Sequence, residues 1–199
     1  MSLTDLSIRT VAGEELTQLI PALAELRIQV FAAYPYLYAG TVAYEEKYLL
    51  GFASAPDAVV VAASDAAGRI VGCATGSALT GHHAEFSAPL AAAGYDLAST
   101  FYFGESVLDP VWRGRGVGHA FFDARERHAM ECGYARACFC AVIREDDDKR
   151  KPADYSALDG FWQKRGFQRL PEVEAFYDWP EVADGPSLPH PMAYWMKEF

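Results

Sequence analysis

Between an apolar segment, FYFGESVL (101–108), and a run of good helix formers ending near Cys132, the chain places Arg113-Gly114-Arg115-Gly116-Val117-Gly118. This stretch restricts the possible folds more than any other. Glycine loses more conformational freedom on ordering than any other residue, and it weakens a helix that contains it. Three glycines at alternate positions where a helix begins therefore need a reason. They fit a chain that turns sharply from strand to helix with no side chains in the way. Gly133 is placed to end that helix.

Such a turn is suited to binding an anion. The first amides of a helix have no acceptor within the helix, and the helix dipole puts partial positive charge there. Glycine lets a phosphate approach the backbone closely, and Arg113 and Arg115 add charge at the rim. Two phosphate motifs fit poorly. A Walker loop needs lysine and a hydroxyl residue after its last glycine, but His119 follows Gly118. A dinucleotide fingerprint needs a third glycine where Phe121 stands.

The rest of the chain places this unit in a mixed sheet. LSIRTV (6–11) reads as a strand, and 14–24 as a helix that Pro21 interrupts, with helical pattern resuming over 26–31. DAVVVAAS (57–64) and IVGCATGSAL (70–79) form a hairpin around DAAGR. A connection with one short helical turn leads to the strand at 101–108. After the long helix come a strand at 135–143, a helix at 155–165 capped by Gly166, a strand starting at FQRL, a proline-rich stretch, and a closing strand at 192–199. The order predicts one α+β domain over 1–199, with a twisted mixed sheet of six to seven strands flanked by helices.

The net charge of −10 argues against a nucleic-acid scaffold, which needs a basic surface. No apolar run reaches the length of a membrane span, and MSLTDLSIRT does not read as a signal peptide. The four cysteines form no C-x-x-C pair, so they read as reduced core thiols of a cytoplasmic protein, with no metal site. His82 and His83 read as surface residues in a loop.

The segment VLDPVWRGRGVGHAFFDARERHAM resembles the signature of GCN5-related N-acetyltransferases, [RQ]-x-x-G-x-[GA], through Arg113, Gly116 and Gly118. FWQKRGF (161–167) resembles a second family element, a short helix ending in Gly-Phe. With the order of elements, the resemblance spans most of the chain. It implies acetyl-CoA as co-substrate. The pyrophosphate would lie on the loop formed by Arg113, Gly114, Arg115, Gly116, Val117, Gly118 and His119. The pantetheine arm would lie against Val107 and Leu108, with the Leu108 amide near the thioester carbonyl. One departure is clear: the family often has a tyrosine as general acid where Trp162 stands. Trp162 would pack on the pantetheine or acyl group, and Tyr155 is the remaining candidate acid.

Acyl transfer to an amine needs a proton acceptor. Glu105, an ionisable residue among aromatics in mid-strand, is the candidate; the competing reading pairs it with a buried arginine or turns it to solvent. The tyrosine-rich segment 34–48 falls where the family places its acceptor site. Its aromatic walls, with Glu45 or Glu46, would hold a small-molecule or peptide amine through cation–π attraction and charge, with Tyr36 and Tyr38 as the preferred contacts; otherwise these rings pack between helices. The alternative function is a non-catalytic coenzyme A-binding sensor of the same fold. A homodimer through the last strand is compatible with the sequence.

Overall fold

In β2 (Val59–Asp65) the first five residues are buried, and alternate ones enter two different cores. Such a run suits a strand covered on both faces. The computed structural model, which describes residues 6–11 and 13–199, places it second in a seven-stranded sheet. The order is β1-β2-β3-β4-β5-β7-β6, with β1 (Leu6–Val11), β3 (Ile70–Ala78), β4 (Thr100–Leu108), β5 (Arg136–Val142), β6 (Gln168–Pro180) and β7 (Ser187–Glu198). All neighbouring pairs are antiparallel except β4 and β5, which the helix α4 (Val117–Glu131) connects.

On one face, Leu16, Ile20 and Leu23 of α1 (Gly13–Phe31) and Leu49 and Phe52 of α2 (Val42–Ala53) pack on Val60, Ala62 and Val107. On the other, Phe121 and Phe122 of α4 pack on Val61, Phe101, Phe103 and Phe167. A third core joins Phe86 and Leu90 of α3 (Ala84–Ala92) to Cys138, Cys140 and Tyr194 of β5 and β7. All four cysteines are free thiols.

The seven strands agree with the sequence reading, and several boundaries differ for identifiable reasons. Pro21 does not interrupt α1, because Pro21 and Thr17 are both exposed and the carbonyl that the ring leaves unbonded faces water. The connection before β4 contains the nine-residue α3 rather than a single turn. The helix expected at 155–165 is the shorter α5 (Asp159–Lys164). β6 runs thirteen residues through Pro171, which lies where its register with β7 shifts between Leu170 and Glu174, as an edge strand with a bulge permits. β7 begins at Ser187 and lies between β5 and β6; it is paired on both edges over Met192–Met196 and with β6 alone over Ser187–Pro191. Over Met192–Met196, within the strand expected to pair between subunits, both edges are therefore already taken within the chain. The first half of the segment read for a signal peptide lies outside the described residues, and its second half lies in β1. No described helix is long and apolar enough to cross a membrane.

Candidate functional site

β4 and β5 pair only through Thr100–Tyr102 and Arg136–Cys138. Beyond that they part. β4 runs on to Leu108 against β3, and β5 runs on to Val142 against β7. A wedge opens between them, and the edge of β4 that faces it, including Val107 and Leu108, has no strand partner among the described residues.

Beyond Leu108 the chain turns through Asp109, whose carboxylate accepts from the Val111 amide at 3.1 Å, and through Trp112, which is buried. Gly114 and Gly116 then take φ of 72° and 83°. This left-handed backbone is strained for residues with a Cβ, so these two glycines are required by conformation. Gly116 is the N-cap of α4, and its carbonyl accepts from the Ala120 amide at 3.1 Å. Among the described residues, no protein group accepts from the amides of Gly116, Val117, Gly118 or His119. Four N–H groups at the positive end of a four-turn helix, with glycine at the entry, fit a diphosphate. Arg113 is exposed beside them. Arg115 lies 5.0 Å from the Trp112 ring centre and donates to the Val111 carbonyl at 3.0 Å. His119 is exposed, 4.9 Å from the Phe161 ring centre. Gly118 is less constrained, since a Cβ there would meet Phe161 at an ordinary 3.5 Å.

Strand alternation alone would put Glu105 on the face of Phe101 and Phe103. A β-bulge prevents this. Ala74 pairs with Ser106 and Gly76 with Phe103, so β4 carries one extra residue opposite Thr75. Gly104 and Glu105 consequently both face α1 and α2. The Glu105 amide donates to Thr75 Oγ1 at 3.2 Å, and a Cβ on Gly104 would lie 2.5 Å from that oxygen. Only glycine fits there without displacing the strand.

Turned this way, Glu105 enters a buried ionic network. Arg27 of α1 pairs through Nη1 with Glu105 Oε1 and through Nε with Glu45 Oε2 of α2. Tyr38 donates to Glu45 Oε1 at 2.6 Å, and Tyr48 to Glu105 Oε2 at 3.4 Å. Arg27 also lies 4.5 Å from the Tyr48 ring centre. Its burial works against the charge, but the two carboxylates outweigh that and hold its pKa well above the usual value. From the opposite face of β4, Arg125 of α4 donates to the carbonyls of Glu105 and Thr75, each at 3.1 Å, and to Ser106 Oγ at 2.7 Å. Arg125 is 1% exposed, and burial outweighs the nearby Glu105 and Glu126 charges and pushes its pKa down to about 9, so it is still a cation at neutral pH.

Of the readings weighed for Glu105, the structure shows the pairing with a buried arginine, Arg27, and not the turn to solvent. The tyrosines are also committed to structure. Besides its bond to Glu45, Tyr38 packs on Phe31; Tyr36 packs 4.8 Å from Phe31, and its carbonyl accepts from Arg144 at 2.8 Å and Trp179 at 3.0 Å. Tyr155 meets Tyr34 edge-on at 4.7 Å, and partial burial raises its pKa. Trp162 packs on Phe139 at 5.0 Å and Trp195 at 5.1 Å. His82 is not a surface residue: it packs against Phe52 and Tyr102, its Nε2 is buried without a partner among the described residues, and burial lowers its pKa to about 4.

Arg27 and Arg125 were absent from the sequence reading, though a signal for them exists. Arg27 continues the apolar stripe Ile20, Leu23, Ala24, and Arg125 interrupts the stripe Val117, Phe121, Phe122, Ala129. Glu45 precedes Leu49 and Phe52 at the same helical spacing. A charge on the buried stripe of an amphipathic helix must have a partner.

The acetyltransferase (GNAT) family model matches residues 22–167. No curated relative matches the chain. Among solved structures, the GCN5-related N-acetyltransferase from Kribbella flavida is similar at 17% identity and TM-score 0.60, over 100% of both chains. The protein yncA from Salmonella typhimurium, solved with its cofactor acetyl-CoA, is similar at 13% identity and TM-score 0.58, over 98% of this chain and 94% of that one. The paia N-acetyltransferase from Thermoplasma acidophilum, solved in complex with coenzyme A, is similar at 13% identity and TM-score 0.54, over 98% of this chain and 99% of that one.

Proposed function

The chain belongs to the acetyltransferase (GNAT) family, and from that premise we propose that it transfers acetyl from acetyl-CoA directly to a primary amine, without an acyl-enzyme. The observation that carries this reading is the set of unpaired amides at Gly116–His119, beside the unpartnered edge of β4. Similar folds solved with acetyl-CoA and with coenzyme A support the choice of co-substrate. The whole chain, 1–199, acts as one domain in this reading, and its four free thiols suit the reducing cytoplasm.

The amides of Gly116–His119 bind the diphosphate, with Arg113, Arg115 and His119 at the rim. The β4 edge at Val107 and Leu108 holds the pantetheine arm by main-chain hydrogen bonds. Bound acetyl-CoA supplies an activated thioester with a good leaving group. Glu105 accepts the proton of the attacking nitrogen, directly or through water, as the N–C bond forms and the C–S bond breaks with its electron pair on sulfur. The Tyr155 hydroxyl, with its raised pKa, retains the proton that the thiolate takes. The acceptor, a small molecule or a peptide amine, enters beside Tyr36, Tyr38 and the network around Arg27.

Thiol release from acetyl-CoA across a panel of primary amines tests the reaction. Release that depends on the amine supports transfer; coenzyme binding with no release over a broad panel favours a sensor. Gly116→Val tests the docking of the diphosphate. It forces a β-branched residue to positive φ and fills the approach to the amides, so coenzyme A affinity should fall by about tenfold or more in calorimetry. Retained affinity would move the diphosphate elsewhere.

A further inference from the structure

We infer that Arg27 and Glu45 are positioning residues for Glu105: one buried guanidinium, shared between two carboxylates, sets both the direction of the Glu105 carboxylate and the pH range over which it can take a proton. This deepens the reading above and rests on Glu105 as the proton acceptor.

The geometry leaves the carboxylate little freedom. Arg27 Nε is committed to Glu45, whose other oxygen is held by the Tyr38 hydroxyl at 2.6 Å, so the guanidinium plane is fixed before Nη1 reaches Glu105. The rings of Tyr48 and Phe31, 4.5 Å and 5.2 Å from Arg27 Cζ, bound it further. Exposure is 6% for Arg27, 0% for Glu45 and 9% for Glu105. Burying such a group is a poor route to stability, since apolar residues of the same volume often serve as well or better. What the arrangement provides is a defined direction and a divided charge.

The groups facing Glu105 can be named element by element. Arg27 comes from α1, Glu45 and Tyr48 from α2, Cys73 from β3, and Arg125 from α4 on the far side of β4. Burial raises the Tyr48 hydroxyl and takes the Cys73 thiol up to about 12, so neither ionises near neutrality. Arg27 and Arg125 stay charged. The two carboxylates therefore face fixed positive charge, and Arg27, bonded to both, divides its charge between them. Without Arg27, two enclosed carboxylates compete for one proton. Without the Glu45 charge, the guanidinium acts on Glu105 alone.

The test is a carboxyl titration by NMR on protein carrying 13C-labelled glutamate, with the Glu105 signal assigned through Glu105→Gln, alongside the pH dependence of thiol release. The Glu105 midpoint should rise by about one pH unit or more in Arg27→Met and fall in Glu45→Gln. The acid limb of the rate should follow each shift. Arg27→Lys, which keeps the charge but not the planar fork, should hold the midpoint nearer wild type than Arg27→Met while turnover falls. If Arg27→Met does not fold, Arg27→Lys and Glu45→Gln carry the comparison. Midpoints unmoved in these variants overturn the inference and leave Glu105 standing as proton acceptor. A rate profile untouched by Glu105→Gln removes Glu105 as the acceptor, and this inference with it.

Discussion

Glu105→Gln should lower turnover by about 10²- to 10⁴-fold, the range typical of losing a positioned general base, with coenzyme A affinity near wild type. The amide matches the carboxylate in size and can still accept from Tyr48, so the loss is one of basicity rather than shape. Folding should survive, because Arg27 keeps Glu45 as a buried counter-charge. Affinity should survive because the diphosphate amides lie beyond the end of β4, in a separate turn. Steady-state thiol release and calorimetry with coenzyme A read the two halves of this expectation. Unchanged kinetics would return Glu105 to a purely structural pairing with Arg27.

Arg125→Met should destabilise the fold by about 2–5 kcal/mol, because it removes the buried guanidinium's hydrogen bonds to the Thr75 and Glu105 carbonyls, and taking a donor from a buried acceptor costs about 1–3 kcal/mol. That is a large part of the roughly 5–15 kcal/mol that holds a typical domain together. Methionine fills much of the volume, so the loss reports the hydrogen bonds more than a cavity. The midpoint of urea unfolding should fall accordingly. Arg125→Lys should recover little, since a single ammonium cannot reach both carbonyls and Ser106 Oγ in the planar fork that arginine provides. The carbonyls lie at the bulge that turns Glu105 toward α1, so turnover should fall even where the variant is folded. A wild-type unfolding midpoint would mean that the bulge stands without Arg125.

Strand-turn-helix around Gly114–Gly118 was legible because glycine at positive φ and the free amides of a first helical turn are local properties, set by residues adjacent in the chain. The same holds for the β2–β3 hairpin and for Gly133, at φ 85°, closing α4. Where the sequence reading missed, the deciding partner was distant. Pro21 stays in α1 because the tertiary fold leaves that side of the helix in water. β6 accepts Pro171 because it lies at the sheet edge, and β7 is paired on both edges over Met192–Met196 because β5 and β6 flank it.

Glu105 shows where the division falls. A carboxylate among Phe101, Tyr102 and Phe103 is visible in the chain as an anomaly, and so is an arginine on the buried stripe of α1 or of α4. Which of them meet depends on one extra residue in β4, accommodated opposite Thr75 through the missing side chain of Gly104. That bulge reverses the alternation of the strand, and a reversal set by pairing with β3 cannot be read from the strand itself. Local backbone chemistry therefore specified the glycine turn and its free amides, whereas long-range register and the need to neutralise charge away from water decided which way Glu105 faces and what holds it.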